Sequence, residues 1–97
     1  MLLDHRTLAT VRSYSQLIAV LRARSDELEL TREIVDSAGN LPPGYAAKLL
    51  SRTPIKNLGL SSLGAVLGVL GLALAVVVVE DVRPVALPKR KYRRRAA

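Results

Sequence analysis

The 97-residue sequence predicts a mainly α chain, a bundle of about four helices followed by a C-terminal β-strand. Three observations predict it. Tyr14, Leu17, Ile18 and Leu21 recur at i, i+3, i+4 and i+7, the spacing of one buried helical face. Two shorter apolar stripes follow, parted by a few residues around Gly39 and Asn40. Beyond Gly71 the composition turns β-branched in "LALAVVVVE", a run of strand length with the pattern of a strand buried on both faces.

The first helix begins at Ser13, which forms a capping box with Gln16 three residues on. Arg22 and Asp26 lie four apart on its wet side, spaced to pair weakly. The second helix follows Leu30, with Thr31 as N-cap and Ile34, Val35 and Ala38 as its apolar stripe. It stops at Gly39 and Asn40, residue types that tolerate a positive φ at a helix C-terminus. A third begins within "LPPGYAAKLL", since Pro fits a first helical turn whose amides lack intrahelical partners, and Tyr45, Ala46, Leu49 and Leu50 fall on the helical period. Two short helices so closely joined make a helix-turn-helix candidate.

In "SSLGAVLGVLG", Ser61 or Ser62 supplies a cap and Leu63, Val66, Leu67 and Leu70 form the apolar face of a fourth helix. Gly64, Gly68 and Gly71 collect on another side, and Gly71 is placed to end the helix. The whole run from Leu58 to Val79 lacks charge, so a single-pass membrane span over 58–79 is an alternative. Its four glycines, the switch in composition at Gly71 and basic residues on both sides argue against that span.

Charge divides the chain. Up to Val82, eight bases face eight acids, and the net charge of +7 falls entirely in "RPVALPKRKYRRRAA". This segment is too charged and too poor in apolar surface to offset ordering entropy, and it reads as a disordered polycation suited to polyanions. The expected organisation is an N-terminal arm or short strand over 1–12, a helix-turn-helix domain over 13–82 and a basic tail over 83–97. "MLLDHRTLATV" meets Asp4, His5 and Arg6 before any apolar signal region forms, so a cytoplasmic protein is expected.

With no Cys and a single His5, read as a surface residue near a frayed terminus, the sequence offers no thiolate metal site and no His pair. It lacks a phosphate-cradling Gly loop and a His–carboxylate set. No enzyme, cofactor, metal or small-molecule substrate is expected.

The segment "LTREIVDSAGNLPPGYAAKLL", Leu30 to Leu50, resembles the helix-turn-helix of lambda-repressor-like (XRE-like) regulators. The family's cap, turn, apolar and recognition-helix places are held here by Thr31, by Gly39 and Asn40, by Leu41, and by Tyr45 and Lys48. The continuation to "VVVVED" is similar to a subgroup of short bacterial proteins, mostly alphaproteobacterial, that end in one more helix and a Val-rich strand. Two departures stand out: Asn40 in place of the usual turn Gly, and "PPG" where the recognition helix begins.

The resemblance implies a DNA-binding transcriptional regulator whose third helix faces the major groove as part of a homodimer. Base reading needs paired donors or acceptors, which Pro42, Pro43, Gly44, Ala46 and Ala47 do not offer. Pro43, Gly44 and Ala47 permit close backbone approach and contact with thymine methyls, while Lys48, Arg52 and Lys56 bring cations to that face. Arg32 stands where the fold often meets a phosphate. With Lys89, Arg90, Lys91, Arg93, Arg94 and Arg95 of the tail, these residues suit binding through phosphates and shape more than base edges. The bland reading of Lys48, Arg52 and Lys56 is a solvated helix face.

A lone strand leaves its ladder unpaired, and two segments are available to it: the N-terminal "RTLATV" or the same strand of a second subunit. A homodimer is expected, with Leu63, Val66, Leu67, Leu70, Leu74, Val76 and Val78 in the interface, because the run holds more Val and Leu than a small core requires. The weak base-reading chemistry leaves a second class open, a protein-binding helix-turn-helix module such as an antitoxin or anti-activator.

Overall fold

A computed structural model describes residues 5–54 and 56–80. The sequence expectations for residues 1–4 and 81–97, the basic tail included, lie outside the described residues. Four helices form: α1 (Tyr14–Glu27), α2 (Arg32–Ala38), α3 (Tyr45–Leu49) and α4 (Leu60–Val69).

Local chemistry sets the first two starts as expected. The Ser13 hydroxyl accepts from the Gln16 N–H at 3.1 Å, but the second half of the expected capping box falls one residue early, the Gln16 side-chain oxygen accepting from the Arg12 N–H and not from that of Ser13. Thr31 Oγ1 accepts from the Ile34 N–H at 3.1 Å. The other two starts differ from expectation. Gly44, at φ 84, is the N-cap of α3, so Pro42 and Pro43 precede the helix instead of forming its first turn. Their fixed φ and missing donors suit the connection, where Tyr45 N–H closes a turn onto Pro42 O at 3.1 Å. Gly59 is the N-cap of α4, and Ser61 and Ser62 fall inside its first turn. Entry into α4 is set by Leu58, whose N–H donates to the Tyr14 hydroxyl at 2.7 Å.

Three helices end by one device. After α1, α2 and α4 the chain takes a left-handed residue, Glu29 (φ 57), Asn40 (φ 54) and Gly71 (φ 66) respectively. The next residue is a leucine in each case. Leu30, Leu41 and Leu72 donate their N–H back to Ser25 O, Asp36 O and Leu67 O at 3.0, 2.8 and 2.8 Å, the long hydrogen bond of a Schellman motif. All three leucines then pack against the core. Asn40 and Gly71 hold the positions expected of them. Gly39 does not need a positive φ, since its φ is −88; a Cβ there would lie 3.1 Å from Val35 O and 3.2 Å from Leu41 Cδ1.

The core joins Ile18 and Leu21 of α1 with Tyr45 and Leu49 of α3, Leu50, and Val66, Leu67 and Leu70 at the end of α4. The apolar stripe of α2 is rotated from expectation: Val35 and Asp36 are buried, whereas Ile34 is 47% exposed and Ala38 is exposed. A carboxylate has displaced an isoleucine from the inner face because α3 supplies it with backbone donors. Val66, Leu67 and Leu70, expected in a subunit interface, are instead consumed by the chain's own core, and Leu63 is half-buried against it. Leu74, Val76 and Val78 stay exposed at 50, 101 and 81%.

No strand forms among the described residues, and among them Leu72–Val79 has no backbone hydrogen-bond partner beyond the turn at Leu72. No helix among them is long and apolar enough to cross a membrane, α4 having ten residues.

Candidate nucleic-acid interface

Five residues make too short a helix to persist by its own hydrogen bonds. α3 is held from outside. Asp36, buried in α2, accepts from the Gly44 N–H at 3.0 Å through Oδ2 and from the Ala46 N–H at 2.8 Å through Oδ1. Its negative charge lies against the positive end of the α3 dipole. At the opposite end Arg22 donates through Nε to Leu50 O at 2.9 Å and through a terminal nitrogen to Ser51 O at 3.1 Å. Neither role is visible as spacing, because the partners are 8 to 29 residues away.

The expected Arg22–Asp26 pair is therefore absent. Arg22 turns inward to α3, and Asp26 meets Arg32 at 3.4 Å. Arg24 makes the matching contact for α4, donating to Leu70 O at 3.0 Å while pairing with Glu27 at 3.2 Å. Arg32 also donates to the Ser25 hydroxyl at 3.0 Å, and Ser25, fully buried, donates on to Leu30 O at 3.3 Å. The arginine expected at a phosphate is thus engaged in joining α1 to α2. The physical reason is local: Ser25 and Asp26 sit just across the turn from it.

What α3 offers outward follows from these anchors. Pro42, Pro43, Ala47 and Lys48 are exposed, while Tyr45, Ala46 and Leu49 face the core and Gly44 is half-buried. The amides of Gly44, Tyr45 and Ala46 are all engaged within the chain, on Asp36 and Pro42, so the helix start presents no free donor at these positions to an anion. Cations gather instead on the later part. Lys56 Nζ lies 5.5 Å from the centroid of the Tyr45 ring, a cation–π contact that returns the loop after α3 to the helix. Lys48 is one turn on from Tyr45, and Arg52 follows; both are exposed and make no ion pair among the described residues.

A second surface lies behind the turn. Leu30, Ile34 and Ala38 on one side and Gly64, Gly68 and Val69 on the other line a shallow apolar groove between α2 and α4. A Cβ added at Gly64 or Gly68 would meet nothing within 4 Å, so these glycines are an open floor and not a close packing contact of this chain.

No protein-family model matches the chain, and no curated protein and no solved structure is significantly similar to it.

Proposed function

We propose that the chain is a DNA-binding transcriptional regulator of lambda-repressor-like type, acting as a homodimer and holding duplex DNA through phosphates and shape. The supporting observation is the five-residue α3, anchored at its start by Asp36 and at its end by Arg22, with Pro43, Ala47 and Lys48 turned outward. A helix fixed at both ends by its neighbours is a rigid element for the major groove. Its exposed residues carry little base-reading chemistry. Lys48, Arg52 and Lys56, supplemented by the polycationic tail, supply the counterion-releasing contacts. Gly44 contributes through its left-handed backbone, and Arg32 chiefly through the α1–α2 junction. The exposed Leu74, Val76 and Val78 are the surface for a terminal strand shared between two copies. In this reading the protein is not an enzyme and works in the bacterial cytoplasm at the nucleoid.

A second reading rests on the apolar groove between α2 and α4, where Ile34 is 47% exposed beside the glycine floor. Such a groove suits a protein ligand, as in an antitoxin or anti-activator. A gel shift against random and genomic duplexes, run beside a pull-down from the native lysate, separates the two. A shift at physiological salt is the result expected; capture of a protein with no shift contradicts DNA binding.

A further inference from the structure

Two segments outside the helices flank one cleft, and among the described residues neither belongs to a backbone ladder. Residues 5–12 lead into α1, and residues 72–80 leave α4. Both line a single cleft of about 560 Å³, His5 to Val11 on one wall and Gly71 to Ala75 with Val77 on the other, floored by Leu17, Leu21 and Leu67. No backbone hydrogen bond joins the two walls. The C-terminal segment is the most exposed apolar run described, Val76, Val77 and Val78 being 101, 67 and 81% exposed. Such an edge, uncharged and β-branched, demands cover.

A strand has two edges, so the two partners available to "LALAVVVV" need not exclude each other. We propose that residues 5–12 form the outer strand of an intermolecular sheet, pairing with one edge of Leu72–Val79 while the other edge of that strand meets its copy across a two-fold axis. This deepens the homodimer reading and rests on it. The cleft places the arm and the strand of one chain side by side, which makes the arm pair within its own chain. Two strands alone are marginal in water, and three or more with an apolar face are not. Joining two chains gives four, so the ladder closes only on dimerisation. The Thr7, Thr10 and Val11 side chains are β-branched, as a strand favours. The central pair sets Val76 and Val78 of both copies into cross-strand contact.

Hydrogen exchange on the full chain, above and below the dimer midpoint fixed by sedimentation, tests this. Amides in 6–11 and 73–79 are expected to slow together, at least tenfold, only where the dimer is populated. Slow exchange in 73–79 with free exchange in 6–11 overturns the arm's role while leaving the dimer intact. A chain that sediments as a monomer throughout overturns both. Ala9→Pro and Thr10→Pro, measured separately, give a second readout, because adjacent residues in a ladder point their N–H to opposite sides. At least one is expected to weaken dimerisation tenfold or more with unchanged helical circular dichroism. Dimerisation unchanged in both contradicts the pairing.

Discussion

Asp36 shows how a single side chain positions the outward face of α3. It lies on the inner face of α2 and satisfies two amides that would otherwise be orphaned at a helix start. Asp36→Ala is expected to cost about 2 kcal/mol, the sum of the missing cap and of donors left without a partner, read as a lower urea midpoint at unchanged slope. Glu29 is the opposite case. It occupies a left-handed position at φ 57 that glycine and asparagine fill after the other two helices. Glu29→Gly is expected to raise stability by up to about 1 kcal/mol, measured as an increase in Tm; a decrease would mean that the Glu29 side chain does something more than turn the chain. Ser13 and Thr31 are legible in the sequence because a cap acts on an amide three residues away. Asp36, Arg22 and Arg24 are not, because their partners are set by packing. One signal is present for Asp36: a carboxylate directly beside Val35, on the side of α2 that packing buries.

Among the elements, α3 depends most on its neighbours. Arg22 and Arg24, both on α1, close the C-terminal ends of α3 and α4 by donating to Leu50, Ser51 and Leu70 carbonyls. Arg22→Ala is expected to destabilise the fold by about 1–2 kcal/mol and to weaken DNA binding more than removal of one charge does, since α3 is left without its anchor. Equal effects of Arg22→Ala and Lys48→Ala on affinity would contradict that role. The four helices are legible from period and punctuation, with Asn40 and Gly71 ending α2 and α4 as their residue types suggest. Two helix starts fall a few residues from where the sequence points, because a glycine with suitable backbone geometry competes with nearby serine caps and proline turns. The fate of "LALAVVVV" is not legible, since a strand needs a partner and composition does not name one.

At the scale of the whole molecule, the arrangement separates neutral packing from cationic contact. Arg22, Arg24 and Arg32 are drawn into the bundle, leaving Lys48, Arg52 and Lys56 as the exposed bases around α3. The seven bases of residues 83–97 stand apart from the balanced body in sequence. The base-poor outward face of α3 is legible from "PPGYAAK"; the diversion of Arg32 away from it is not, because its partners Ser25 and Asp26 belong to the preceding helix. Removing residues 88–97 is expected to flatten the dependence of log affinity on log salt, by about 0.9 in slope for each phosphate the tail no longer neutralises. The DNA-binding proposal turns on Lys48 of α3 and Arg52 in the loop after it reaching phosphates. The decisive measurement is the same salt dependence, taken on one duplex for the full chain and for Lys48→Ala/Arg52→Ala. A slope shallower by about 2 is expected in the double variant, with little change in preference among sequences; an unchanged slope would contradict phosphate binding by Lys48 and Arg52.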